Sequence, residues 1–90
     1  MFDNEIVPIN VKFKRLRLML EATQDEIAYN ICTKNTISQI ENNKQNPTLN
    51  LATGTAKNFN EIAKKKGINI ELITGNYLIQ DENAQANNIF

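Results

Sequence analysis

A polar run between residues 34 and 39 is the part of this sequence whose side chains favour a specific chemistry. The run reads KNTISQ, and its ammonium, hydroxyl and amide groups are those that hydrogen-bond nucleic-acid bases and phosphates. Asn and Gln each match the N6 and N7 atoms of adenine with two hydrogen bonds. In a helix, Ile37, Ile40 and Glu41 would share one face. The opposite face would carry Lys34, Asn35, Ser38, Gln39 and Asn42.

Two interpretations of this polar face remain open. Every amphipathic helix has a polar face, and most such faces contact only water. This one, however, carries a single charge, at Lys34, and consists otherwise of amides and hydroxyls. A face that contacts only water usually carries more Glu and Lys, so the composition favours base recognition.

The residue types give little support to catalysis or metal binding. The chain has no His and one Cys, Cys32, which excludes His-based acid–base catalysis, an intrachain disulfide and a zinc site made of cysteines alone. The adjacent acids Asp25 and Glu26 suit a helix start, and no base or nucleophile set accompanies them. We therefore expect no enzymatic activity, no metal and no cofactor. A lone thiol suits a reducing, cytoplasmic setting, and no apolar run is long enough to cross a membrane.

The distribution of charge is more informative than its total. The 90 residues include ten Lys and Arg and ten Asp and Glu, so the formal net charge is zero. Residues 8–75, however, hold ten basic and six acidic residues, a difference of +4. The central part therefore carries the positive charge that a nucleic-acid partner attracts. With 41% apolar residues, the length fits one small domain.

Local signals predict an all-α fold with five helices. Thr23 and Glu26 form a capping-box pattern before the second helix, and Thr33 and Thr48 are the expected N-caps of the third and fourth. The expected helices are Asn10–Leu20, Gln24–Ile31, Lys34–Asn42, Leu49–Lys66 and Ile70–Thr74.

Residues that tolerate a left-handed backbone mark the expected helix ends. Asn43 is expected to follow the third helix in this conformation, and Gly67 and Gly75 are expected to stop the fourth and fifth. Gly54 lies inside the fourth helix, where it indicates either a break or a close contact. The basic run at residues 64–66 suits the last turn of that helix, where we expect it to contact solvent.

Together these segments resemble the phage-repressor/Cro-like helix-turn-helix family, also called the XRE family. The matching residues are Arg17, Thr23-Gln24-x-Glu26-Ile27-Ala28, Ile37-Ser38-Gln39-Ile40-Glu41-Asn42, Pro47-Thr48-Leu49 and Ile68-x-Ile70-Glu71-Leu72-Ile73-x-Gly75. The resemblance covers about two-thirds of the chain. It implies a five-helix, repressor-like DNA-binding domain over residues 9–75, after a flexible arm at residues 1–8. Its recognition helix would be Thr33–Asn42, in the major groove.

The chain departs from the family pattern in three places. The turn Ile31-Cys32-Thr33 lacks the usual Gly and looks one residue shorter, and Asn43 stands where Gly is usual. The segment between residues 47 and 67 looks about two helical turns longer than the usual fourth helix. The compact turn resembles the N-terminal domains of peptide-pheromone regulators of the PlcR type. That resemblance implies a helical-repeat domain after the first, so residues 76–90 are expected to be either a tail or its start.

The resemblance also implies roles for individual residues. The implied base-reading residues are Lys34, Asn35, Thr36, Ser38 and Gln39, and the implied phosphate-binding residues are Gln24, Lys44 and Asn46. Arg17 and Glu41 match a buried ion pair that ties the first helix to the third. The plainer alternatives are an ordinary first-turn residue for Gln24, a loop charge for Lys44 and two unrelated surface charges for the pair. Cys32 is expected to be a small buried apolar residue rather than a redox switch.

Two functional interpretations follow. The first is a sequence-specific transcription regulator that binds double-stranded DNA as a homodimer on inverted half-sites, with a peptide or protein effector acting through a further C-terminal domain. The alternative is a protein-interaction module of the same fold, such as an antitoxin or antirepressor, which the zero net charge favours slightly. The expected dimer surface combines Leu49–Lys66 with Ile70, Ile73, Tyr77, Leu78 and Ile79.

Overall fold

The described part of the chain contains five α-helices. The structure, a computed structural model, describes residues 7–80, and this range contains no β-strand. The helices are α1 (Ile9–Met19), α2 (Gln24–Ala28), α3 (Lys34–Glu41), α4 (Leu49–Lys66) and α5 (Gly75–Ile79). The expected all-α class with five helices is therefore confirmed. Residues 1–6 of the expected arm and residues 81–90 of the expected tail lie outside the described residues.

Threonine hydroxyls begin four of these helices. Thr23 Oγ1 accepts a hydrogen bond from the Glu26 amide over 3.1 Å, and the Glu26 carboxylate accepts one from the Thr23 amide over 2.8 Å. These two bonds confirm the capping box, and the bond from the Thr23 amide lowers the pKa of Glu26. Thr33, Thr48 and Thr74 cap α3, α4 and α5 through the hydroxyl alone, which accepts a hydrogen bond from the amide three residues further on. The predicted caps Thr33 and Thr48 are confirmed, whereas Thr74 was not predicted as a cap.

Left-handed residues end α3 and α4, as predicted. Asn43 has a φ of 62° and Gly67 has a φ of 69°. After α3, the amides of Asn43 and Lys44 donate to the carbonyls of Ile40 and Gln39 over 3.1 Å and 2.8 Å. This pair of bonds satisfies carbonyls that a helix end otherwise leaves without partners. The chain therefore turns sharply away from α3 at a fixed point.

Helix α2 is shorter than the sequence predicted. Its predicted end at Ile31 is wrong, because α2 ends at Ala28 and Asn30 turns the chain with a φ of 62°. The physical reason is a contact with α4. There, Asn58 Nδ2 donates to two backbone carbonyls at the end of α2, including that of Tyr29 over 3.0 Å. These bonds satisfy groups that further helical turns would have paired, so a short turn joins α2 to α3.

The last helix lies further along the chain than predicted. The predicted helix Ile70–Thr74 is wrong, because residues 68–74 are not helical and α5 begins at Gly75. The side chain of Asn60, in α4, bonds the backbone amide and the backbone carbonyl of Ile73 in this non-helical segment. Its Oδ1 accepts from the Ile73 amide over 2.9 Å, and its Nδ2 donates to the Ile73 carbonyl over 2.8 Å. One side-chain amide thus replaces two bonds that a helix would have made.

One hydrophobic core joins all five helices. Phe13 of α1 and Phe59 of α4 meet edge to face, with ring centroids 5.9 Å apart. Ile37 and Ile40 pack α3 onto this core, and Leu78 packs α5 onto it. These apolar side chains hold helix α3 against the core, and Glu41 is the one polar residue of α3 that is buried with them.

Part of the apolar surface expected for a dimer lies in this core. Leu78 is 0% exposed and Ile73 is 7% exposed, so their assignment to an outer surface is wrong. Ile70 and Ile79 are half-buried, and Tyr77 is 45% exposed. Burying Leu78 fully stabilises the fold by roughly 2 kcal/mol, which explains why a short final helix packs at all.

Gly54 lies in a continuous α4 and makes a close contact rather than a break. A Cβ atom at Gly54 would lie 2.9 Å from Cγ1 and 3.0 Å from Cγ2 of Ile31, closer than carbon atoms pack. The missing side chain therefore lets Ile31, in the turn between α2 and α3, lie directly on α4.

We expect Gly54→Ala to lower the free energy of unfolding by about 1 kcal/mol, because crowding against Ile31 outweighs the helix propensity of alanine. Chemical denaturation measures the change. In an Ile31→Ala background the crowding is gone, and the same substitution should be stabilising. A Gly54→Ala variant that is more stable than the parent in both backgrounds would show that the contact is unimportant.

Candidate nucleic-acid interface

Helix α3 is anchored by its apolar face and turns its polar face outward. Ile37 and Ile40 are 0% and 1% exposed, and Glu41 is buried beside them. Five residues are implied to read bases. Two are exposed, Lys34 and Asn35, and three are half-buried, Thr36, Ser38 and Gln39. The structure places all five on this one helix.

Two of these polar groups already have partners close by. Thr36 Oγ1 lies 3.0 Å from the Oγ1 atom of the capping residue Thr33. Asn42 Nδ2 donates to Ser38 Oγ over 3.4 Å. These hydroxyls therefore contribute to the two ends of α3, which limits what they offer to a ligand.

The other three side chains have hydrogen-bonding groups that no protein group in the described range uses. Within residues 7–80, those of Lys34, Asn35 and Gln39 make no hydrogen bond or ion pair with the protein. Water satisfies these groups, so a base edge can replace the water without breaking any bond that holds the fold. This set combines one cation with two amides on a rigid helix.

A buried ion pair ties α1 to the end of α3. Arg17 Nε donates to Glu41 Oε2 over 2.6 Å, and Arg17 Nη2 donates to Glu41 Oε1 over 3.0 Å. The side chains are 16% and 4% exposed. A third bond runs from Arg17 Nη1 to the carbonyl of Ala22 over 3.2 Å. The hydrogen bond to Glu41 raises the pKa of Arg17, so the guanidinium stays charged at every ordinary pH.

Gln24 joins this ion pair from α2. Its Nε2 donates to Glu41 Oε1 over 3.1 Å, which links the first residue of α2 to the last residue of α3. An amide nitrogen carries two hydrogens, so this bond leaves the second one for another acceptor. Glu41 therefore fixes the position of the amide that was implied to bind phosphate. The sequence did not predict this link, because the two residues are 17 positions apart.

The other two implied phosphate-binding residues follow α3. Lys44 and Asn46 are both exposed. The Lys44 amide donates to the Gln39 carbonyl, so the bond that closes the end of α3 also fixes the backbone of Lys44. A cation and an amide thus lie just beyond the C-terminal end of α3, the same end that Gln24 approaches through Glu41.

Cys32 lies in the turn between α2 and α3 and is half-buried. Burial raises the pKa of its thiol, so the unreactive protonated form dominates at neutral pH. The thiol packs against the hydrophobic core. This environment fits the structural role that was expected for it.

Two lysines make structural contacts that the sequence did not predict. Lys66, expected to contact solvent, instead donates to the carbonyls of Leu20 and Glu21 over 2.7 Å each and so caps the end of α1. Lys12 is 3% exposed, and its Nζ donates to the carbonyl of Tyr77 over 2.6 Å and lies 4.5 Å from the Tyr77 ring centroid. Both contacts join distant parts of the chain, so no local pattern could have indicated them.

Neither a metal site nor a membrane span is found in the described range. Residues 7–80 contain no group of three or more Cys, Asp or Glu side chains placed to hold a metal ion. None of the helices in that range is long and apolar enough to cross a membrane.

Comparison of the chain with models of known families, with curated proteins and with solved structures gives no match. The geometry of α2 and α3 and the motif resemblance are therefore the two sources of information on function.

Proposed function

We propose that the chain is a sequence-specific DNA-binding transcription regulator, in which α2, the turn at residues 29–33 and α3 act as a helix-turn-helix. The observation that carries the proposal is the arrangement of α3. One face is anchored in the core, and the other offers Lys34, Asn35 and Gln39, whose hydrogen-bonding groups no other part of the described chain uses. The major groove is about 12 Å wide and admits one helix, so Thr33–Asn42 fits as the recognition helix.

The polar side chains of α3 would read different bases. The amides of Asn35 and Gln39 suit the N6 and N7 atoms of adenine, and the ammonium of Lys34 suits the O6 and N7 atoms of guanine. Thr36 and Ser38 supply hydroxyls to a base or a phosphate. This division predicts specificity that depends mainly on the first three residues.

Phosphate binding is proposed for Gln24, Lys44 and Asn46. Gln24 is held by Glu41, and Lys44 is held by the backbone that closes α3, so both are fixed relative to the recognition helix. Phosphate contacts of this kind set the register of a helix on the duplex without reading its sequence. The net charge of +4 over residues 8–75 supports attraction to the duplex.

One recognition helix contacts only a few base pairs, too few to specify a site in a genome. We therefore propose that two copies bind inverted half-sites with their recognition helices about 34 Å apart. The single thiol, at Cys32, supports a cytoplasmic location as a further proposal. The resemblance to peptide-responsive regulators supports another, a peptide or protein effector that acts through a C-terminal domain.

The zero net charge of the whole chain favours a second candidate, a protein-interaction module such as an antitoxin or antirepressor. A gel shift on genomic fragments across a salt series separates the two. A regulator should shift particular fragments, with affinity that falls steeply as salt rises. An interaction module should shift none of them at any salt concentration.

We expect Gln39→Ala to weaken binding to the preferred site by about 1–3 kcal/mol, because a bidentate base contact is lost. Binding to random DNA should change little. The preferred site comes first from selection out of a random DNA pool, and fluorescence anisotropy then measures both affinities.

Lys44→Ala is the matched comparison for this measurement. It should weaken specific and random binding alike and reduce the slope of log affinity against log salt by about one, because one phosphate contact is lost. If Gln39→Ala also weakened both kinds of DNA equally, Gln39 would be a phosphate contact and its assignment to base reading would be wrong.

A further inference from the structure

Residues 69–72 form an extended segment between α4 and α5. Residues 68–74 contain no helix, turn or bend, and none of them has a positive φ. Within the described part of the chain, the backbone amides and carbonyls of residues 69–72 make no hydrogen bond. Asn69, Glu71 and Leu72 are exposed, so water satisfies these backbone groups. The segment therefore offers the row of unpaired amides and carbonyls that is typical of a sheet edge.

Helix α4 holds this segment at both ends, so its shape exists before any partner binds. At its start, the Ile68 amide donates to the Ala63 carbonyl over 2.9 Å. At its end, both backbone groups of Ile73 are bonded to the Asn60 side chain. The side chains of Ile68 and Ile70 pack against the core. Binding of a partner would therefore cost little conformational entropy in this segment.

The segment is a ridge between two shallow recesses. One recess, of about 350 Å³, is bounded by α1 and α5, and the other, of about 320 Å³, is bounded by the second half of α4. Ile70 and Leu72 line both recesses. Leu72 is 79% exposed, so its apolar side chain is available to a partner on the ridge itself. A chain that lies beside the ridge could place its side chains in the adjoining recess.

We propose that this protein binds an extended peptide segment of a partner protein, which adds as a strand to residues 69–72. Main-chain hydrogen bonds supply the affinity in this mode of recognition, and recesses for alternate side chains supply the specificity. In an extended chain, the amide and carbonyl of one residue point to the same edge, and successive residues alternate between edges. The peptide would therefore bond either Asn69 and Glu71 or Ile70 and Leu72.

The surroundings of the segment define the chemistry of the peptide. The larger recess is lined almost entirely by apolar side chains, including Leu16, Met19 and Ile73, and suits β-branched or aromatic residues at alternate positions. Glu71 is exposed and makes no ion pair within residues 7–80, so a Lys or Arg opposite it on the peptide would add a favourable cross-strand pair. No lining residue belongs to α2 or α3, so this site is separate from the proposed DNA-binding face.

Amide hydrogen exchange with selected peptides tests the proposal. The probes are peptides of about eight residues, selected for binding to the 90-residue chain from a displayed library of random sequence. The selected peptides should have apolar residues at alternate positions. They should slow exchange, by at least about tenfold, at the amides of either Asn69 and Glu71 or Ile70 and Leu72. A contact through side chains alone would not protect alternate amides.

Two matched pairs of variants test the backbone bonds directly. N-methylation of the peptide amides that face the protein should weaken binding by at least about tenfold, whereas N-methylation of the other amides should change it little. On the protein, proline and alanine each replace Glu71 or Leu72, whichever amide the peptide protects. The proline variant should bind at least about tenfold more weakly than the alanine variant, because proline cannot donate to the peptide. Thermal melts should show that both variants are folded.

Three results would overturn the proposal. In the first, the library yields no binding peptide, and in the second, no selected peptide slows exchange at residues 69–72. In the third, these amides become protected without peptide as the protein concentration rises, which would assign the edge to a second copy of the chain. None of these measurements involves DNA, so the gel shift remains a separate test of the proposed function.

Discussion

Replacing Glu41 with alanine is expected to lower the free energy of unfolding by about 3 kcal/mol, because the nearly buried Arg17 guanidinium loses its partner. In a domain of this size, that loss lowers the melting temperature by roughly 15 °C. Two of the three hydrogen bonds of the guanidinium end on Glu41, and the Ala22 carbonyl alone cannot balance a buried charge. A thermal melt followed by circular dichroism measures the change.

The expected loss does not depend on pH over the range of ordinary buffers. Because the bond to Glu41 raises the pKa of Arg17, the stability from this charge is present at every pH below the unfolded pKa. It is lost only in strong alkali, as the pH rises through the folded pKa. Melts of the Glu41→Ala variant at about pH 6 and about pH 8 should therefore show the same deficit relative to the parent.

Glu61→Ala provides the control, because Glu61 is an exposed glutamate of α4. It should melt within a few degrees of the parent. A variant that replaces both partners, Arg17→Met with Glu41→Leu, should lose less than Glu41→Ala, because neither charge is then left buried. A Glu41→Ala melt that overlays the parent would mean that the ion pair has no structural role.

The ion pair would couple the stability of the fold to the proposed recognition of DNA. Glu41 accepts hydrogen bonds from Arg17 of α1 and from Gln24 of α2, and it is the last residue of α3. One carboxylate therefore fixes the proposed recognition helix relative to the two helices that support it. Loss of this carboxylate would free the Gln24 amide as well, so a change in DNA affinity should accompany the change in stability.

The features that the sequence predicted correctly are local. Thr23, Thr33 and Thr48 each bond an amide three positions further on, so a short pattern contains all the partners. The left-handed backbone of Asn43 likewise depends on its immediate neighbours. The outward polar face of α3 could be predicted for a similar reason, since helical periodicity alone separates it from Ile37 and Ile40.

The features that the sequence missed depend on partners far along the chain. Asn58 ends α2 from 31 positions away, and Asn60 holds Ile73 out of a helix from 13 positions away. Both are asparagines inside α4. The sequence shows that they are polar residues of a helix, but it does not show which distant backbone groups they bond. Gln24 was matched to a phosphate contact, but its bond to Glu41 became visible only when α2 and α3 were placed together.

Gly75 was expected to stop a helix, but in the structure it is the first residue of α5. At Gly75, α5 approaches α4 too closely to leave room for a side chain. A Cβ atom at Gly75 would lie 2.9 Å from both Cα and N of Thr53. These are backbone atoms, so a rotamer change cannot make room for it. With α5 in this position, Leu78 is fully buried in the core.

Gly75→Ala is therefore expected to lower the free energy of unfolding by about 3 kcal/mol, at the upper end of the usual cost of overpacking. Thr53→Gly should not rescue it, because the crowded Cα and N atoms remain after the side chain is removed. This contrasts with Gly54, where the obstacle is the Ile31 side chain and can be deleted. Urea denaturation of the single and double variants measures both effects.

Gly67→Ala is the matched control. At Gly67 the left-handed backbone favours glycine, whereas at Gly75 the neighbouring atoms exclude a side chain. Gly67 has a φ of 69°, and no atom lies within 4 Å of the position of a Cβ there. The left-handed backbone alone should cost alanine about 1 kcal/mol. Gly75 has no left-handed backbone, so a loss at Gly75 that is no larger than the loss at Gly67 would mean that α5 can move away from Thr53 at little cost. In that case the close approach to the Thr53 backbone would not be what fixes the position of α5.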